Sequence, residues 1–146
     1  MTTPHPPGGN RTPAQRAGDA AEEAVARTLG ASGWTILARR ARVGRLELDL
    51  VALDPGPPSA LVVLEVRWRR TRTFGLPEET VDGRKVARLR RAAGALVAAG
   101  RLPDGTRLPR APVRLDVVAV EPGPAGSLRV RHHRAVGEGG GDGTLW

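Results

Sequence analysis

Leu46-Glu47-Leu48-Asp49-Leu50-Val51-Ala52-Leu53 and, beyond a Pro-rich turn, Leu61-Val62-Val63-Leu64-Glu65-Val66-Arg67-Trp68 decide how this chain folds. The first segment alternates Leu46, Leu48 and Leu50 with Glu47, Asp49 and Val51, the period of a half-buried strand. The second is apolar until Glu65 and Arg67 interrupt it on the side that carries Leu61 and Val63. The turn between them, Asp54-Pro55-Gly56-Pro57-Pro58-Ser59, predicts an antiparallel hairpin. If that turn is symmetric about Pro57, Leu53 faces Leu61, Asp49 faces Glu65 and Glu47 faces Arg67. Asp49 and Glu65 then stand on one sheet face about 5 Å apart, a like-charge pair that costs stability unless a cation intervenes. A divalent ion is one such cation, and Mg²⁺ accepts a few carboxylates, a carbonyl and several waters. The competing structural reading pairs Glu47 with Arg67, and leaves Asp49 and Glu65 to water or to Arg45 and Arg69.

Outward from the hairpin, Ala21, Ala24, Val25, Thr28 and Leu29 fall at helical spacing, predicting a helix over about 14–32 that Gly33 stops. Trp34 to Ala38 reads as a short strand, and Arg39, Arg40, Arg42 and Arg45 as a basic link. Asp82 caps a second helix to about Ala99, with Val86, Leu89, Ala93, Leu96 and Val97 on its buried stripe and Gly100 at its end. Val113–Val120 and Leu128–Arg134 complete an α-β-β-β-α-β-β order, an α/β sandwich on a mixed sheet. Pro and Gly enrichment predicts a disordered N-terminal tail over 1–13 and a flexible Gly-rich tail over 135–146, around one domain at 14–134.

Composition narrows the chemistry. The 146 residues hold no Cys, which excludes disulfide scaffolds, thiolate metal sites and Cys nucleophiles. The formal charge is +8, and 22 of the 23 basic residues are Arg, Lys85 being the exception. Between Arg67 and Arg91, nine basic residues face three acidic ones, a local net of +6. Arg69, Arg70, Arg72, Arg84, Lys85, Arg88 and Arg91 are therefore the candidate contacts to a polyanion, read as nucleic acid rather than a membrane surface, DNA ahead of RNA. Few aromatics argue against a base-stacking sheet. His132 and His133, adjacent on a strand, point to opposite faces and read as surface residues. No apolar run reaches spanning length and the start lacks a signal peptide's apolar stretch, giving the expectation of a soluble, cytoplasmic protein.

The chain resembles the YraN-like family of the restriction-endonuclease-like, PD-(D/E)XK nuclease superfamily over about Gly18 to Val120. The resemblance rests on Glu22, Leu46-Glu47-Leu48-Asp49-Leu50, Glu65-Val66-Arg67-Trp68-Arg69, Phe74-Gly75, Lys85 and Arg114-Leu115-Asp116-Val117-Val118 in that order. It implies a restriction-endonuclease-like fold with Asp49, Glu65 and the Val66 carbonyl as ligands of Mg²⁺. It further implies Glu22 reaching in from the first helix, and Arg67 standing where the superfamily has its catalytic Lys. The implied reaction is hydrolysis of phosphodiesters by an endonuclease. Arg67 cannot serve as a general base, which leaves a non-catalytic nucleic-acid-binding module as the alternative and a protein-binding adaptor as a third reading. Leu46 stands where the family has Gly, adding bulk. Lys85 is read first as a solvated residue at a helix start, with reach to the site as its alternative.

Overall fold

A computed structural model describes residues 11–71 and 75–137. Helix α1, Pro13–Ala31, opens with a capping box in which Thr12 and Gln15 exchange side-chain and backbone hydrogen bonds, and Pro13 takes the first helical position. Three strands follow: β1 Thr35–Val43, β2 Leu46–Asp54 and β3 Ala60–Trp68. A short 3₁₀ turn at Pro77–Thr80 leads to α2, Gly83–Ala99, capped by Asp82 and closed by Gly100 in the left-handed conformation. Strands β4, Val113–Pro122, and β5, Leu128–His133, end the fold.

The five strands lie in chain order, β1-β2-β3-β4-β5. The β3–β4 pair is parallel and is joined through α2; every other pair is antiparallel. A helix covers each face. Ala21, Val25, Ala26 and Leu29 of α1 pack on Leu50, Ala52, Val62, Leu64, Val118 and Val120. Val86, Leu89, Ala92, Ala93 and Leu96 of α2 pack on Leu48, Val51, Leu61, Val63, Leu115 and Val117. Burial on both faces explains why the central strands are nearly uninterrupted Val and Leu. This is the expected α/β sandwich with a mixed sheet, the restriction-endonuclease-like arrangement. No described helix is long and apolar enough to cross a membrane.

Several expectations need correction. The basic link at Arg39, Arg40 and Arg42 is strand, because β1 runs on to Val43 and turns on only Gly44 and Arg45. Val97 is 42% exposed, and Ala92 takes its place on the buried stripe. At the N-terminus, Thr12 and Pro13 belong to the helix start rather than to a tail, and Arg11 pairs with Asp19. Residues 1–10 lie outside the described residues. At the other end Val136 is buried, donating its N–H to the Leu115 carbonyl, and Gly137 accepts from Arg90, so 135–137 are fastened to the domain. Residues 138–146 lie outside the described set.

Two buried polar clusters, neither foreseen, fasten the β4–β5 side. Asp116 accepts from Arg114, His132 and the Ala135 N–H, so His132 is no free surface residue. Arg131 bridges Glu78 and Glu121 at 2.7 and 2.6 Å, and His133 lies 2.8 Å from Glu78. Hydrogen bonds from Arg131 hold the Glu78 carboxyl down at about 2. Removing Arg131 takes the shared guanidinium from two buried carboxylates, while His133 stays beside Glu78. We expect Arg131→Met to lower stability by about 3 kcal/mol in urea unfolding at pH 7. A depressed carboxylate stabilises the fold above its unfolded value, and that contribution is lost as pH falls toward 2. The deficit of Arg131→Met should therefore shrink progressively below pH 4.5.

Candidate active site at a fork in the sheet

The hairpin register is the one read from the sequence as far as it continues: Asp54↔Ala60, Leu53↔Leu61, Ala52↔Val62, Val51↔Val63 and Leu50↔Leu64. Beyond Leu50 and Leu64 the two strands part. The cause lies in β1–β2, where Arg39↔Leu50 and Ala41↔Leu48 pair but Arg40 and Asp49 between them do not. Arg40 has φ +50°, a conformation that costs a non-glycine residue about 1–3 kcal/mol. It is held there by hydrogen bonds to Glu22 at 3.1 Å and to Asp19. The kink breaks the strand alternation. Leu48 joins the core under α2 while Leu50 joins the core under α1, so the regular Leu46/Leu48/Leu50 face does not exist.

Asp49, at the kink, accepts the Val66 backbone N–H at 2.8 Å instead of facing Glu65 across a regular ladder. Leu61 and Arg69 donate their N–H groups toward the β4 side, so alternate residues of β3, Val66 among them, turn both backbone polar groups toward β2. The Val66 carbonyl consequently faces the fork beside Asp49.

Glu65 is 3% exposed, and three groups converge on it. Arg67 Nη1 donates to its Oε1 at 3.2 Å, Lys85 Nζ lies 3.7 Å from the same oxygen, and the Asp49 carboxyl is near enough for the two acidic groups to act on each other. Arg67 is steadied by Thr80, whose Oγ1 accepts from Nε at 2.7 Å and donates to the Pro77 carbonyl. Burial first, then the neighbouring Glu65 charge, pushes the Asp49 carboxyl up to about 7, against the Val66 N–H and Lys85. Burial and the Asp49 charge likewise raise Glu22, which approaches from α1.

Asp49, Glu65, Val66 and Arg67 thus meet as expected, with Glu22 electrostatically linked to Asp49 from the other face. The reading of Lys85 as solvated is corrected: α2 starts at a point that aims it into the site, and its side chain is 21% exposed. Its standing as the single Lys was the available signal. Glu47 pairs with Arg42 at 4.0 Å, not with Arg67, because the strands have parted before they reach it. Thr80 and Arg40 were missed, since neither sits in a recognisable pattern. Leu46 packs against the core under α2, where its bulk is accommodated. Arg70, Arg84, Arg88 and Arg91 are exposed and Arg69 is half-buried; Arg72 and Phe74 lie outside the described residues.

Among the described residues no group of three or more His, Asp or Glu is arranged to hold a metal. Two carboxylates and a carbonyl turned toward one opening nonetheless fit a hard cation that retains most of its waters, the habit of Mg²⁺ and not of a caged Zn²⁺. Burial first and then the Glu65 charge raise the Asp49 carboxyl, and a cation there would offset both.

The family described as "Uncharacterised protein family UPF0102" matches residues 21–120, which take in the later part of α1, the fork, α2 and most of β4. The chain belongs to the UPF0102 family. A UPF0102 protein of Symbiobacterium thermophilum is 47% identical over 117 residues, covering 80% of this chain and 92% of that one. Another, of Roseiflexus castenholzii, is 42% identical over 115 residues, covering 79% and 84%. The YraN-like resemblance is borne out. Among solved structures, Pyrococcus furiosus SfsA in complex with Ca²⁺ aligns with 83% of this chain and 63% of its own, at 15% identity and a TM-score of 0.31. That is too distant for fold or function to carry across.

The Asp49 elevation gives a test with a definite sign. A carboxyl whose folded value lies above its unfolded 3.8 favours the fold while protonated, and its cost appears as pH rises from there through about 7. Without added metal, Asp49→Asn keeps an acceptor for the Val66 N–H and removes the charge. It should match the parent at pH 4 and exceed it by a few kcal/mol at pH 8 in urea unfolding, given about 1.4 kcal/mol per unit of elevation.

Proposed function

We propose that this UPF0102 protein is a Mg²⁺-dependent phosphodiester hydrolase acting on nucleic acid, with Asp49 and Glu65 as its acidic centre. The observation that carries the reading is the convergence of buried Glu65, half-buried Asp49, one lysine and one arginine where β2 and β3 part. The Asp49 carboxyl, raised by burial and by the neighbouring Glu65 charge, supports the same reading.

Asp49, Glu65 and the Val66 carbonyl would hold the cation, which supplies polarisation of the scissile phosphate and acidification of a bound water. The chain's own groups do the rest. Arg67 is always charged and planar; with Nε on Thr80 and Nη1 on Glu65 it keeps N–H donors for a non-bridging phosphate oxygen. It neutralises charge but moves no proton. Lys85 supplies the ammonium that Arg67 does not, beside the same carboxylate from the opposite element. As the water oxygen bonds to phosphorus and the ester P–O bond breaks, the water would release its proton to solvent, and the departing oxygen would take one from the Lys85 ammonium, which solvent then reprotonates. Exposed Arg84, Arg88 and Arg91 extend the positive surface along α2, and their contacts fix a backbone without reading sequence.

Incubation with end-labelled single-stranded, duplex and branched DNA and the matching RNA, with Mg²⁺ or Mn²⁺, tests this. We expect metal-dependent cleavage that Asp49→Asn abolishes. Lys85→Met should lower turnover about a hundredfold, and Lys85→Arg should not restore it. Arg67→Lys should retain activity. No cleavage of any substrate with either metal, together with no metal binding by calorimetry, overturns the enzyme. Arg67 favours one alternative, a nucleic-acid-binding module without chemistry; it predicts salt-dependent binding by the parent and cleavage only after Arg67→Lys.

A further inference from the structure

Where the arginines are left without partners is informative. Within the fold about half of the described arginines are engaged, among them Arg40 with Glu22, Arg67 with Glu65, Arg114 with Asp54 and Asp116, and Arg131 with Glu78 and Glu121. Arg45, Arg88 and Arg91 make no hydrogen bond or salt bridge to any described residue, although the exposed cap Asp82 attracts Arg88 at longer range. These three side chains line one open groove of about 470 Å³, between the β1–β2 turn and α2. Its floor is Val43, Leu46, Ala92 and Ala95.

The groove's position ties it to the fork. Lys85, Arg88, Ala92 and Ala95 follow one another at helical spacing, so they share one side of α2. Arg91 lies about 9 Å along the axis from Lys85, a span that continues a chain of phosphates leaving the site. Arg45 faces this helix from the other wall, on a two-residue turn that the positive φ of Gly44 makes tight. Three exposed guanidinium groups around an apolar floor make a locally positive groove that suits an extended anion. The lining contains no hydroxyl, amide or carboxylate, so it offers phosphate contacts and an apolar bed for sugars, with Arg as its sole polar side chain.

We propose that this groove seats the sugar–phosphate backbone of the nucleic-acid strand beyond the scissile phosphate, with Arg45 clamping it against Arg88 and Arg91. The inference rests on the hydrolase reading and adds to it a second contact region, a clamp residue that the basic run from Arg67 to Arg91 does not contain, and sequence-tolerant binding.

Fluorescence anisotropy with labelled single-stranded and duplex oligonucleotides of several sequences, without metal and over a salt series, tests the groove. We expect Arg45→Ala to weaken binding about tenfold on every sequence and to reduce the salt slope by about one. Arg45→Lys should recover much of the slope, and Arg27→Ala, an exposed arginine of α1, should match the parent. Arg45→Ala binding with the parent's affinity and slope overturns the groove while leaving the hydrolase reading intact, which metal-dependent cleavage by the same protein reports. A weakening confined to one sequence overturns the sequence-tolerant clamp. A parent protein that binds no nucleic acid overturns both.

Discussion

One hydrogen bond, from the Val66 N–H to the Asp49 carboxylate, stands where a strand ladder should continue. A buried backbone N–H left without an acceptor is expensive, so a sheet that opens in its middle must supply one. Asp49 does so, and the cost of opening the sheet is transferred to a carboxyl that must live beside Glu65 in a poorly hydrated place. Everything distinctive follows from that exchange. The Val66 carbonyl is turned toward the opening, Asp49 is pushed to about 7, and a space forms that two positive side chains enter from the α2 side.

The two helices reach the fork in different ways. From α1, Glu22 and Asp19 hold Arg40 in its unfavourable backbone conformation, which lets β1 and β2 change faces together. Strain of this kind persists only when its surroundings over-determine it, and here two ion pairs do so. From α2, the Asp82 cap fixes where the helix begins and hence where Lys85 points. The Pro77–Thr80 turn links the site to the far side of the sheet: Thr80 holds Arg67, and Glu78, two residues earlier, is locked by Arg131 and His133. The electrostatic anchor on β5 and the position of Arg67 therefore share one short rigid piece of chain.

Most of the architecture was legible because strand and helix periods are local. The hairpin register followed from the Pro-rich turn, and both ends of α2 followed from Asp82 and Gly100. What was not legible is the flip at Arg40 and Asp49. Strict Leu alternation from Leu46 to Leu50 describes a flat strand, and only contact with α1 reveals that Leu48 and Leu50 face different cores. The same limit hid Thr80, the Glu78–Arg131 lock and the partners of both histidines, all joined by tertiary contacts between residues far apart in sequence. The pairing of Asp49 with Glu65 was anticipated for a partly mistaken reason: they meet because the ladder ends, not because it continues.

The identity of the one lysine bears on how the site works. Glu65 already receives one guanidinium, from Arg67, in a position where the carboxylate is 3% exposed. A second guanidinium from α2 would bring a broad, five-donor fork into a space whose remaining acceptors are few, and unmatched donors there would be desolvated without partners. An ammonium is compact and needs fewer partners, and its four-carbon stem can lie along the surrounding apolar wall. In a chain whose other 22 basic residues are all Arg, the position that keeps an ammonium is the one beside buried Glu65. On the proposed hydrolase reading the two cations would divide the work by chemistry: Arg67 holds a fixed charge against Glu65, and Lys85, beside the same carboxylate, is the one whose ammonium can give up a proton.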